Sequence, residues 1–350
     1  MVAQTRRMMP PMEYVRLLDE SAGLDGVIAI HSTERGPAAG GCRLWSYADA
    51  GEAMADAFRL AEGMSYKNAM ARLPFGGGKA VLRRPAGDFD RRALFEAFGR
   101  AVARLDGRYV TAEDVGTGIA DMECVARQTR HVAGRTAMPG LAGGDPSPWT
   151  ALGVFEAMKQ AVELRYGGTL SGLTVAVLGV GNVGAELARL AAGAGARLVI
   201  ADIDPLRCAR LAGETGAHIV ATDAIAGIDA QVFAPCALGG ALDEATVATL
   251  QARIVCGAAN NQLASPCMAQ ALTARGIDYA PDYVVNAGGI INVAAEYLGE
   301  SADQVRGRVL EIGPRTREIL EVARRGGLAP SLVADRMAER LMMRRESLPA

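Results

Sequence analysis

Two lysines, one aspartate and a glycine-rich turn are the residues of this chain whose types and spacing suit chemistry. Lys67 stands in Met64-Ser-Tyr-Lys67-Asn-Ala, Lys79 closes Leu73-Pro-Phe-Gly-Gly-Gly-Lys79, and Asp114 ends Thr111-Ala-Glu-Asp114. An ammonium group is a compact partner for a carboxylate. Two of them in one desolvated cleft repel each other, so one loses its proton and becomes a base. Taken alone, a lysine is usually a solvated surface group and an aspartate a turn residue. The inference therefore needs all three together, along with Gly40-Gly41, where a ligand can approach backbone closely.

A second constellation points to a dinucleotide. The apolar run 173–178 leads straight into Gly179-Val-Gly181-Asn-Val-Gly184, and helical spacing follows over 185–192. In such a strand–turn–helix the first glycine allows the tight turn, the second admits the pyrophosphate and the third lets helix pack on strand. Asn182 and Val183 complete the turn, and the helix N-terminus offers N–H groups and positive potential. Asp202 ends the next apolar run about twenty residues on, where a carboxylate takes the ribose hydroxyls of NAD and repels a 2′-phosphate. NAD is the expected cofactor. Arg207, just beyond Asp204-Pro205, is read as a solvated helix residue.

The segments GPAAGG, SYKNA, PFGGGK, TAEDVGT, DPSPWTA, FAPCALGG, AANNQL and APDYVVNAGGIINV occur in this order from about residue 30 to 300. Together they resemble the glutamate/leucine/phenylalanine/valine dehydrogenase family, with leucine-type members nearest and phenylalanine-type close behind. The resemblance implies that Lys67 binds the substrate α-carboxylate with help from Gly40, Gly41 and Met64. It implies that Lys79 activates water against an imine and that Asp114 handles the amino group and its proton. It further places Thr150 and Asn260 beside nicotinamide and substrate, and Cys236-Ala237 along the cofactor path. The implied reaction is reversible oxidative deamination: hydride passes from the amino-acid Cα to NAD, water adds to the imine, and ammonia leaves a 2-oxo acid. A homo-oligomer, dimer or octamer, is implied in the same way.

Substrate choice is expected to rest on Ala39, Ala112, Ile290 and Val293, all apolar. Glutamate-type members carry a lysine matching Ala39 and a serine matching Val293, so a distal carboxylate here would be buried unpaired at several kcal/mol. Leucine and other branched-chain amino acids are favoured. The small Ala39, where leucine-type members usually carry a larger residue, makes an aromatic amino acid the alternative, because a methylene discriminates by only about 1 to 3 kcal/mol. A non-catalytic NAD-binding regulator is disfavoured by the intact Lys67, Lys79 and Asp114. A hydroxy-acid dehydrogenase would need an acid/base histidine, and none of the three stands in a matching motif.

The elements that must position these residues alternate between strand-like and helix-like along 350 residues, the pattern of an α/β protein. That length suggests two domains. An N-terminal α/β substrate and oligomerisation domain (1–140) is expected to be followed by a Rossmann-type doubly wound NAD-binding domain (141–327), with a cleft between them and a C-terminal helix (about 328–350) returning to the first. Strands are expected at 26–32, Cys42–Trp45, 79–82 and 109–113, then at Thr174–Leu178, Arg197–Ala201, 231–235 and 254–257. Helices are expected at 48–70 and 149–164, with further helical spacing over 301–347. The Gly/Pro-rich 135–148 reads as a hinge through which the cleft closes to exclude water.

Half of the residues are apolar, and 37 basic against 39 acidic side chains leave a net charge of -2, so nucleic acid is not an expected partner. No apolar stretch reaches the ~18 residues of a membrane span. The opening MVAQTRRMMPPMEYVRLLDE lacks the apolar run of a signal peptide. Six cysteines without a C-x-x-C pair and three scattered histidines (His31, His131, His218) read as reduced thiols and no metal site. A soluble cytoplasmic protein is expected.

Overall fold

The computed structural model describes residues 13–343 apart from 139 and 238. Its contacts divide the chain into two units. One runs to Met138 and takes in the end of the last helix from Glu339, while the other continues to Ala338.

The first unit begins with β1 (Glu13–Asp19) and β2 (Leu24–Ser32), an antiparallel pair, then β3 (Ala38–Ala39) and β4 (Cys42–Trp45). Helix α1 (Ala50–Met70) leads to β5 (Gly76–Arg83), followed by α2 (Arg91–Ala103), β6 (Tyr109–Val110) and α3 (Ile119–Ala126). The mixed sheet has the order β1-β2-β5-β3-β6, with β4 also pairing β5. Alternate strand residues face opposite helices. Leu17, Ile28 and Leu82 pack with Phe95, Phe98 and Met122 of α2 and α3, whereas Val27, Ala29 and Val81 pack against Ala53, Ala57 and Ala61 of α1. The alanines recur every fourth residue and make a low, flat helix face. Asp49 caps α1 by accepting the Glu52 N–H at 2.9 Å, and Glu52 returns a bond to the Ala48 N–H at 2.7 Å.

The second unit starts with α4 (Ser147–Tyr166), stopped by Gly167 in left-handed conformation at φ 70°. It continues through β7 (Thr174–Leu178), α5 (Asn182–Gly193), β8 (Arg197–Ala201), α6 (Pro205–Thr215), β9 (His218–Ile219) and β10 (Val232–Pro235). Next come α7 (Glu244–Thr249), β11 (Ile254–Val255), α8 (Cys267–Ala274), β12 (Asp278–Tyr279), α9 (Asp282–Val285) and α10 (Gly288–Leu298). Helices α11 (Ala302–Leu310), α12 (Ile312–Gly326) and α13 (Pro330–Met343) complete the described residues. Every pairing in its six-stranded sheet is parallel, in the order β12-β11-β10-β7-β8-β9. This is the doubly wound order, in which winding reverses between β7 and β10.

Several expected elements differ in detail. The strand β1 was not anticipated, because EYVRLLD shows no clean alternation, its burial running from exposed to intermediate around the buried Leu17. The strand expected at 79–82 starts at Gly76 and takes in all three glycines. The one expected at 109–113 is a two-residue strand, after which Thr111 and Glu113 form isolated bridges to Val132 and Cys42. The helical region 301–347 is three helices, and its last four residues lie outside those described. No described helix is long and apolar enough to cross a membrane.

Candidate active site

Strand β5 presents Lys79 to the interior, where it is 5 % exposed. Its Nζ lies 2.8 Å from Asp114 Oδ2, just beyond the end of β6. The pair is held in place by neighbouring backbone. Thr117 Oγ1 accepts the Asp114 N–H at 2.8 Å, and Gly41 is so close that a Cβ on it would come within 2.9 Å of Asp114 Cβ. A Cβ on Gly40 would meet Gly78 O at 1.9 Å and Met64 Cγ at 3.1 Å. Tyr109 Oη donates to Gly40 O at 2.6 Å and fixes this turn. The structure thus brings Gly40, Gly41, Met64, Lys79 and Asp114 together. Lys67 sits half-buried on α1 one turn after Met64. The next residue, Asn68, donates to Gly76 O at 2.6 Å and to Ala39 O at 3.3 Å, tying α1 to β3 and β5.

Electrostatics follow from this packing. Burial lowers the proton affinity of Lys79, and the Asp114 carboxylate offsets that only in part. Burial alone would raise Asp114, yet Lys79 and Arg43 together hold it below the ordinary carboxylate range. Arg43 escaped the sequence reading. Its Nε reaches the same Oδ2 at 3.0 Å and its Nη1 reaches Asp56 Oδ2 at 3.0 Å. Tyr47 Oη donates to that Asp56 oxygen at 2.7 Å. No local signal marks it, since its partners Asp56 and Asp114 lie 13 and 71 residues away.

The packing of the glycines ahead of Lys79 gives them a structural task. A Cβ at Gly77 would lie 2.2 Å from Ser65 N, one at Gly76 would lie 1.8 Å from Ser32 O, and one at Gly78 would lie 2.9 Å from the Tyr109 ring. They let α1 and the adjoining backbone close onto β5.

In the second unit the dinucleotide fingerprint sits at the reversal of strand order. Gly179, at φ +92°, follows β7, and a Cβ there would strike Ala237 N at 2.7 Å, beyond the end of β10. Gly184 allows α5 to approach Gly179 O, where a Cβ would come to 2.0 Å, and Cys236 Cβ, at 3.1 Å. Gly181 caps α5, and only Arg207 Nη1 comes within 4 Å of where its Cβ would be, at 3.8 Å. The donor-rich helix start is therefore open. Asp202 follows β8 directly, its Oδ2 accepting the Val180 N–H at 2.6 Å and its Oδ1 the Asp204 N–H at 2.9 Å. Arg207 pairs with Asp204 at 3.1 Å. A cavity of about 580 Å³ opens here between Val180, Gly181, Asn182, Asp204 and Arg207. This cradle fits a dinucleotide.

Thr150 on α4 donates through Oγ1 to Pro146 O at 3.0 Å. It packs on the start of α10, where a Cβ at Gly289 would meet its Oγ1 at 2.8 Å. Ile290 and Val293 follow on the same helix, both partly exposed. Asn260 accepts at Oδ1 from Asn286 Nδ2 at 2.9 Å, and Asn286 also donates to Ala258 O at 3.1 Å. Asn286 was quoted within a motif without a role. Ala39 and Ala112 belong to the first unit, at 8 % and 6 % exposure. Among the described residues no cluster of His, Cys, Asp or Glu suits a metal ion.

Comparison with known proteins agrees with this geometry. Residues 13–131 match the family model described as Glu/Leu/Phe/Val dehydrogenase, dimerisation domain, and residues 207–308 match Glutamate/Leucine/Phenylalanine/Valine dehydrogenase. The chain is 43 % identical to a leucine dehydrogenase of Thermoactinomyces intermedius, over 97 % of this chain and 94 % of that one. It is 47 % identical to a valine dehydrogenase of Streptomyces albus, over 93 % and 90 %. The crystal structure of L-tryptophan dehydrogenase from Nostoc punctiforme superposes with a TM-score of 0.85 at 38 % identity, covering 94 % of this chain and 95 % of that one. With a buried lysine paired to an aspartate in one unit and a glycine cradle at the reversal of a parallel sheet in the other, the chain belongs to the glutamate/leucine/phenylalanine/valine dehydrogenase family and is an oxidoreductase using a nicotinamide dinucleotide.

Proposed function

We propose that the protein catalyses the reversible NAD-dependent oxidative deamination of L-leucine and other branched-chain amino acids. The observation that carries this is the 2.8 Å pair of a buried Lys79 with Asp114. When bound, the nicotinamide dinucleotide accepts the hydrogen and electron pair that leave the substrate Cα. Lys67 takes the α-carboxylate as a point charge. The Gly40 N–H already donates to Val110 O, so Gly41 is the better placed of the two amides to assist. Asp114 receives the amino group through Oδ1, since Oδ2 is engaged by both cations. Lys79, its proton affinity lowered by burial, takes a proton from the water that attacks the imine carbon and returns one as ammonia departs.

NAD, rather than its 2′-phosphorylated form, is supported by the Asp202 carboxylate held at the end of β8 and by the pairing of Arg207 with Asp204. Thr150, Asn182, Val183, Cys236, Ala237 and Asn260 line the cofactor's course. Ala39, Ala112, Ile290 and Val293 offer no partner for a distal carboxylate, which sets glutamate aside. The small Ala39 and the likeness to a tryptophan dehydrogenase support an aromatic substrate as the second reading. A homo-oligomer accords with the match to a dimerisation domain. Unpaired thiols at all six cysteines suit a reducing, cytoplasmic setting.

The test is a panel of initial rates at alkaline pH with NAD and NADP against leucine, valine, isoleucine, phenylalanine, tryptophan and glutamate, compared as kcat/KM. Branched substrates with NAD are expected to lead. A lead by phenylalanine or tryptophan transfers the assignment to the second reading, and absence of turnover with every substrate overturns both.

A further inference from the structure

We propose that Arg43 is a positioning residue for this reaction, a fixed cation that bridges Asp56 and Asp114 and thereby sets both the placement of Asp114 and the charge state of Lys79. The proposal rests on the catalytic assignment of Lys79 and Asp114. Its basis is geometric. Arg43 Nε and Lys79 Nζ converge on one oxygen, Asp114 Oδ2, at 3.0 and 2.8 Å, which leaves Oδ1 for substrate. The opposite side of the guanidinium is anchored by Asp56, whose Oδ2 also accepts from Tyr47 and whose Oδ1 takes Arg59 at 2.6 Å. A planar fork spans two carboxylates in a way that an ammonium does not. The anchor is needed because Arg43 also borders a cavity of about 490 Å³, together with Trp45 and Val115, through which water reaches it.

The charge that matters to Lys79 is the sum of what faces the pair. From β4 come Arg43 and Cys42, whose thiol burial keeps protonated. From α1 come Asp56, Arg59 and Lys67, and from β6 comes Tyr109, its hydroxyl raised by burial. Glu113 adjoins Asp114 in sequence, and Tyr47 and the Arg91–Asp121 pair lie farther out. Of these, Arg43 is the cation that shares the Lys79 counter-ion. A second cation on a shared carboxylate weakens that carboxylate's hold on the first and repels it directly. Arg43 therefore favours the neutral amine that the water-activating step requires, and keeps Asp114 ionised throughout.

The experiment is the pH profile of kcat for leucine oxidation in the full-length enzyme and its Arg43→Gln, Arg43→Lys and Asp56→Asn variants, with folding followed by circular dichroism. Losing the charge in Arg43→Gln is expected to move the acid limb upward by roughly one pH unit and to lower the plateau roughly tenfold. Arg43→Lys, which keeps a cation but not the fork, is expected to leave the limb in place while lowering the plateau about as much. Asp56→Asn should lower the plateau as Arg43→Lys does and, having removed a negative charge from those facing Lys79, should move the acid limb slightly downward. An Arg43→Gln limb coincident with that of the parent enzyme overturns the proposal, whatever the plateau. Should that variant not fold, undiminished plateaus in both Arg43→Lys and Asp56→Asn overturn it. The catalytic assignment is judged separately, by whether Lys79→Ala abolishes turnover.

Discussion

A lysine buried to 5 % exposure in a sheet is costly unless its charge is paired or given up, and Lys79 stands between those two solutions. Replacing it with alanine removes the proposed base, so kcat is expected to fall by about 10² to 10⁴ while NAD still binds, measurable by kinetics alongside nucleotide titration. Asp114→Asn leaves two cations facing a neutral amide. It is expected to lower both activity and melting temperature, because the buried Lys79 loses its counter-ion. The closeness of Lys79 and Asp114 was legible because motif and residue type coincide at both. Arg43 was not, because the contact that gives it meaning joins residues 71 apart in sequence. No local pattern encodes such a pairing. Asn286 and Asn260 are joined in the same way across 26 residues.

At the scale of elements, strand β5 and helix α1 behave as one object. The alanine stripe of α1 and the glycines of β5 bring helix backbone onto strand backbone, and this contact places Met64 beside Gly40, with Lys67 one turn farther along the helix. Gly77→Ala puts a methyl 2.2 Å from Ser65 N, so the helix must move. A destabilisation of about 1 to 3 kcal/mol, seen as a lowered melting temperature, should accompany a raised KM for the amino acid as Lys67 moves with α1. In the other unit, Gly179→Ala strains a backbone at φ +92° and collides with Ala237. It should raise the KM for NAD with little change in the KM for amino acid. The parallel sheet of the second unit could be read almost to the residue at Thr174–Leu178 and Arg197–Ala201, since buried strands are continuous apolar runs. The first unit was harder, because its antiparallel edge is half exposed and its catalytic strand begins with glycines, which carry no strand propensity.

For the molecule as a whole, the same charges govern stability. Asp114 and Asp56 both have proton affinities below the ordinary value of 3.8 when folded, despite the opposing effect of burial, because Lys79 and Arg43 act on the first and Tyr47, Arg59 and Arg43 on the second. Below that value the unfolded chain binds protons that the native protein does not, so their stabilisation is complete above about pH 5 and is lost as acid titrates them in the folded state. Lys79 is depressed as well, which in its case means that stability rises with pH on approaching the ordinary lysine value of 10.5. Melting temperature should therefore fall by several degrees between pH 5 and 3. In an Asp56→Asn protein this fall should be shallower. The stretch Gly76, Gly77 and Gly78 leaves no room for a Cβ unless its neighbours shift, whereas Ala39, Ala112, Ile290 and Val293, the positions proposed to choose the substrate, carry side chains whose size can vary. Mutations that survive selection should accumulate at those four positions and be purged from β5, so a lineage can drift among substrates while its chemistry stays frozen.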